Sequence, residues 1–171
     1  LHERHDHGVA LAQSHNQLCF YLRYNTGRSV QDNGKDLSEI MGQITEALAE
    51  QKVINFLCHS MGGLVCRSAI HQASETSGCD DAETASAQWL ENIKKVIFLG
   101  TPHQGAILEK AGNVLDYLLT ISPYSAPFAK LTRTRSQGIQ DLQHGCIHHS
   151  ASLNEIPKHI MVHAVAASRS K

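Results

Sequence analysis

Charge is scarce in this sequence: Asp, Glu, Lys and Arg make up 18 % of 171 residues, and 15 basic against 16 acidic side chains leave a formal charge of -1. Neither sign gathers into a long block, so nothing in the balance asks for nucleic acid or an anionic membrane surface as a partner. No apolar run reaches the roughly 18 residues of a membrane span, and the opening LHERHDHG is no signal peptide, so stable membrane insertion is not expected. Metal-ligand spacing is missing from the 5 cysteines, whose odd count argues for free thiols in a reducing, cytoplasmic setting. The 12 histidines cluster at His2, His5 and His7 and again at His144, His148 and His149. Without accompanying thiolates they read as solvated loop residues rather than a metal site. The chain opens on Leu1 rather than Met, which points to a segment upstream.

What is present is an ordinary soluble composition, 42 % hydrophobic, at a length that gives one domain with a sizeable core. Short apolar runs alternate with helical patterns. A helical candidate covers residues 5–15, and LCFYLRY at 18–24 reads as a buried strand closing in the turn NTG. Leu37, Ile40, Met41, Ile44, Ala47 and Leu48 then recur at helical spacing, after an opening at Asp32, Asn33 and Gly34. VINFLCHS (53–60) reads as the next strand, MGGLVCRSAIHQA (61–73) as a helix that follows without a linker, and KVIFLG (95–100) as a third strand closing in TPHQG. IMVHAVAAS (160–168) is a fourth strand. Strands alternating with helices predict βαβ units and a mostly parallel sheet in a three-layer α/β/α sandwich, with right-handed crossovers. The stripe Ala111, Val114, Leu115, Leu118 and Leu119 and the break SPYSAP interrupt that alternation, suggesting a cap-like helical insertion over 106–150 within a single domain spanning 1–171.

Chemistry concentrates where a strand hands over to a helix, at His59, Ser60, Met61 and Gly62. A serine hydroxyl becomes a useful nucleophile when it is held on a sharp, exposed turn with a base beside it and amide donors aimed at the developing oxyanion. Gly62 and Gly63 leave room for the turn and for close helix packing. Met61 would supply one oxyanion N–H. The bland alternative, a serine that merely caps a helix, is common, but the preceding strand and the paired glycines favour the nucleophile.

LCHSMGGLV resembles the GHSMGGLV of α/β-hydrolase lipases and esterases. FYLRYNTGRSVQDNG, VIFLGTPHQGAILEKAGN and RSQGIQDLQHG resemble bacterial serine esterases of the triacylglycerol-lipase kind, related to the GPI-inositol-deacylase-like branch. The resemblance implies Ser60 as nucleophile and Met61 as oxyanion amide. It also implies that His59, Thr101, Pro102 and His103, with Tyr24, Asn25 and Thr26, shape the substrate pocket at the carboxyl edge of the sheet. His103 stands one strand from Ser60 and invites a role as base, but the family places its base after the last strand.

Two departures accompany the resemblance. Cys58 stands at the family's first elbow glycine, and strand alternation turns it away from the active face. The family's HG oxyanion strand has no counterpart before His2, and its acid and histidine have none after 160–168, where SRSK contains no acid. Asp80, Asp81, Asp116 and Asp141 read as solvated surface acids. The expected activity is hydrolysis of carboxylic esters, small or lipid, through an acyl-enzyme that needs no cofactor. The alternatives are an acyltransferase or thioesterase on the same fold, and a catalytically incomplete hydrolase core with a structural or binding role. A cut sheet edge invites homo-association.

Overall fold

The apolar runs become strands where they find a neighbouring edge to bond. In the computed structural model, which describes residues 6–48, 53–77, 85–103, 137–138, 141 and 156–166, three parallel strands lie side by side: β1 (Ile54–His59), β2 (Ile93–Leu99) and β3 (Met161–Val165). Parallel neighbours require a crossover that returns the chain to the same end of the sheet. Between β1 and β2 it runs through α3 (Met61–Ser77) and α4 (Ala85–Glu91), while α1 (His7–His15) and α2 (Val30–Ala47) precede β1.

Alternation turns Ile54, Phe56 and Cys58 toward the helices and leaves Asn55, Leu57 and His59 exposed. Along β2, strict alternation would give Ile93 and Lys95 the same face. A register shift opposite Ile54 and Asn55 inserts Lys94, so Ile93, Val96 and Phe98 all reach the core. Helix α3 is the central element: Leu64, Val65, Cys66, Ser68, Ala69 and Ile70 are almost free of solvent. Each large apolar side chain so placed contributes about 1.5–3 kcal/mol relative to exposure. Helix α2 crosses close over it, because a Cβ at Gly34 would stand 2.4 Å from Ser68 Oγ. The Gln72 amide also donates to the Gln31 carbonyl at 3.0 Å. Trp89 of α4 completes the core edge-on to Phe56, at 6.1 Å between centroids.

The described helices α2, α3 and α4 share one face of the sheet; on the other, Leu57, Met161 and Val165 are 46 %, 50 % and 56 % exposed. Two layers of the expected sandwich are thus in place among the described residues. The expected helical insertion at 106–150 lies outside them, apart from positions 137, 138 and 141. Among the described residues no helix is long and apolar enough to cross a membrane.

One expected strand is not in the sheet. Residues 18–24 form no regular element and pair with no described strand, and Leu18 and Phe20 are 77 % and 66 % exposed. The apolar content of LCFYLRY makes it a good strand, but composition does not provide the adjacent edge that a ladder needs. The segment is tied to α1 instead: Tyr21 donates its hydroxyl to Asp6, the residue whose carboxylate caps α1 by accepting the Gly8 and Val9 amides.

Helix α2 also starts earlier than its apolar stripe suggests, because Ser29 is the N-cap and its Oγ accepts the Asp32 amide at 3.0 Å. The Asp141 carboxylate takes the Val30 amide at 2.8 Å, so this acid is a second cap rather than a solvated surface group. Inside the turn that leads to α2, buried Asn33 donates to the carbonyls of Asn25 and Ser29 at 2.9 and 3.0 Å. Replacing Asn33→Ala removes both side-chain bonds, leaving the Asn25 carbonyl to the Arg28 amide and the Ser29 carbonyl to the Asn33 amide, and should lower the unfolding free energy by about 1–2 kcal/mol, measurable by urea denaturation.

Candidate active site

Strand β1 ends at His59 and α3 begins at Met61, so Ser60 alone makes the turn. Its φ is 51°, a left-handed conformation that costs a residue bearing a Cβ about 1–2 kcal/mol. Two backbone bonds hold it there. The Ser60 amide donates to the Leu99 carbonyl at 2.9 Å, and the Gly63 amide closes the first helical turn on the Ser60 carbonyl at 3.0 Å. The residue stands at the carboxyl end of β1, half-buried, beside the N-terminus of α3. The Met61 amide opens that helix, one of the first-turn donors without an intrahelical acceptor, at the end where the helix dipole favours negative charge.

The segment after β2 is packed onto this turn. Gly100, with φ 59°, bends the chain out of the strand and donates its amide to the Val165 carbonyl at 2.9 Å. Thr101 then lies directly on Gly63, where an added Cβ would stand 2.1 Å from Thr101 Oγ1 and 2.5 Å from its methyl. Gly63 therefore has to lack a side chain. Thr101 Oγ1 is buried against it with no hydrogen-bond partner among the described residues.

Two residues beyond, the His103 ring stands edge-on to Phe98, at 4.6 Å between centroids, with its Nδ1 3.0 Å from Arg67 Nη1. A guanidinium only donates, so Nδ1 is the acceptor and the neutral ring carries its hydrogen on Nε2. Burial, and then the Arg67 charge, hold the His103 pKa below the ordinary histidine value. Burial likewise lowers that of Arg67. Neither ring nitrogen of His103 is free to take a proton from Ser60 while this pair stands.

The remaining pocket residues divide. Tyr24 packs its ring against the core, and its hydroxyl lies 3.6 Å from where a Gly62 Cβ would be. Burial, with a smaller effect of nearby Cys58, pushes its pKa up to about 12. Asn25 is exposed, its Oδ1 accepting the Gly27 amide at 2.9 Å, so its side chain shapes the turn. Thr26 is half-buried in the same turn and Pro102 half-buried beside Thr101. His59 is exposed on the face of the sheet opposite α2, α3 and α4. Cys58 is buried under α3, where its hydrogen bond to Cys66, together with burial, keeps the Cys66 pKa well above the usual thiol value. Arg67 had a signal in the sequence, a charge inside the apolar stretch GGLVCRSAI one turn from Gly63. The cap provided by Asp141 had none, since 111 residues separate it from Val30.

The chain belongs to the family described as "Putative serine esterase (DUF676)", whose profile matches residues 21–145. Among solved structures it is similar to a Bacillus licheniformis lipase in its mature form, at 18 % identity and a TM-score of 0.53, over 82 % of this chain and 47 % of that one. The propeptide form of the same lipase gives 18 % identity and a TM-score of 0.52, over 82 % of this chain and 26 % of that one. The chain thus spans about half the length of the mature lipase. At this identity the likeness establishes a shared α/β fold. No curated protein matches.

Two outcomes are expected. Gly63→Ala drives a methyl into Thr101 and should cost about 1–3 kcal/mol, whereas combining it with Thr101→Ala should recover most of the loss in a thermal-unfolding double-mutant cycle. The depressed His103 pKa means that, as pH falls below about 6.5, the unfolded chain binds a proton that the fold still refuses. Stability contributed above that pH is lost on acidification through the folded pKa. His103→Asn keeps an acceptor for Arg67 without titrating and should flatten this part of the pH dependence in urea unfolding between pH 5 and 7.5.

Proposed function

We propose that the chain carries the nucleophile of a serine hydrolase that acts on carboxylic esters, small or lipid, through an acyl-enzyme on Ser60. The observation that carries this reading is Ser60 held at φ 51° as the single residue between β1 and α3. A helix cap needs no such strain, whereas a nucleophile that must stand clear of the backbone and beside a helix N-terminus does. Membership of the serine-esterase family supports the same reaction.

In the reaction Ser60 Oγ attacks the ester carbonyl carbon as its proton passes to a base, and the carbonyl oxygen takes the electron pair. The Met61 amide at the start of α3 is placed to meet that charge. Collapse expels the alcohol, which recovers the proton, and a water repeats the attack on the acyl-serine to release the acid. His103 does not serve as the base in this scheme, because Arg67 occupies its Nδ1. His103, Pro102 and Thr101 instead form the wall that packs against the elbow.

The test is intact-mass labelling of the folded chain with a fluorophosphonate. A single adduct that disappears in Ser60→Ala is expected; absence of an adduct on folded wild-type protein would sink the reading.

A further inference from the structure

An oxyanion formed at Ser60 needs more than the Met61 amide, since a developing alkoxide takes two or more donors. Tyr24 has the placement for one. In a helix every Cα–Cβ bond tilts toward the N-terminus, so a group that meets the Cβ direction of Gly62 stands beside the first turn of α3, which the Met61 amide opens. The Tyr24 hydroxyl is that group, 3.6 Å from the Gly62 Cβ position. Ser60, Gly62 and Tyr24 are each half-buried. No hydrogen bond to another described residue occupies the hydroxyl, although the ring below it packs on the core.

The support of Tyr24 is rigid as well. The next residue, Asn25, begins a turn closed by the Arg28 amide on the Asn25 carbonyl at 3.1 Å and by Gly27 on Asn25 Oδ1 at 2.9 Å. Asn33 pins the same carbonyl from α2 at 2.9 Å. A donor held this way pays little reorganisation when charge appears.

We propose that the Tyr24 hydroxyl donates a hydrogen bond to the substrate carbonyl oxygen as it becomes the oxyanion, acting as partner to the Met61 amide. The inference rests on the serine-hydrolase reading. In the step the bond from Ser60 Oγ to the carbonyl carbon forms, the carbonyl π pair moves to oxygen, and Tyr24 keeps its proton throughout. With its pKa raised to about 12, the phenol stays a donor through the neutral and mildly alkaline range.

The experiment measures fluorophosphonate labelling of Ser60 in wild type and Tyr24→Phe, separating the maximal rate from the half-saturating concentration. The phosphoryl oxygen takes the place of the ester carbonyl oxygen, so loss of one donor should lower the maximal rate by about 10²-fold with little change in half-saturation. The ³¹P resonance of the Ser60 adduct should also move between the two proteins. Equal rates and equal resonances overturn the inference while leaving Ser60 as nucleophile. A slower rate with an unmoved resonance overturns it as well, since that is a packing effect. No adduct on wild-type Ser60 removes both this inference and the reading beneath it. If Tyr24→Phe does not fold, a fluorinated tyrosine at position 24 keeps ring and hydroxyl while making the latter more acidic. Labelling that tracks this acidity supports the role, and labelling indifferent to it overturns it.

Discussion

The left-handed turn at Ser60 is the constraint around which the described structure is arranged. A positive φ at a serine is unfavourable in isolation, so the fold has to make every relaxed alternative worse. It does so by leaving the chain no spare residue: β1 runs to His59 and α3 starts at Met61. The Ser60 amide is committed to Leu99 and the Ser60 carbonyl to Gly63. Flipping the turn would sacrifice both bonds and lift α3 off the strand, exposing a helix whose inner residues are almost wholly buried. Strain of about a kilocalorie per mole is small against that burial.

The same constraint explains why two distant segments meet at the turn. Thr101 can sit on α3 only because Gly63 has no side chain, and it reaches that place because Gly100 bends β2 out of the sheet. Gly100 in turn bonds Val165, so the carboxyl ends of all three strands are laced together around Ser60. On the other side the turn after Tyr24 is fixed by Asn33 and feeds α2, whose first amide is capped by Asp141. Among the described residues the Ser60 turn itself is held by backbone hydrogen bonds and close contacts, while the Arg28–Asp36 ion pair ties the turn after Tyr24 to α2.

Legibility in the sequence followed the range of the interaction. Strand, serine, helix is local, and HSMGG disclosed the elbow because the turn, the glycines and the helix start are all consecutive. The helix of residues 30–47 was legible from its stripe, but its first residues were not, because Ser29 and Asp141 cap it from outside that pattern. LCFYLRY failed for a deeper reason. An apolar run states that a segment would rather be buried, but a strand exists only if an edge is presented to it. Among the described residues β1 pairs with β2 alone. The two-residue inward spacing of β1 was readable, whereas the register shift that brings both Ile93 and Val96 inward depends on the pairing and was not.

The histidine beside the site shows how a polar contact can decide what a residue type leaves open. Imidazole can act as base, acid or donor, and position alone made His103 a tempting base. Arg67 removes that freedom: a guanidinium offers only hydrogens, so the ring nitrogen it meets has to be the lone-pair nitrogen. The hydrogen then resides on Nε2, burial and the adjacent charge oppose a second proton, and the ring is left as a neutral donor edge-on to Phe98. Such a residue stiffens the wall that Thr101 begins. In the proposed reaction the proton of Ser60 therefore leaves by another group, and residues 100–103 contribute shape rather than basicity.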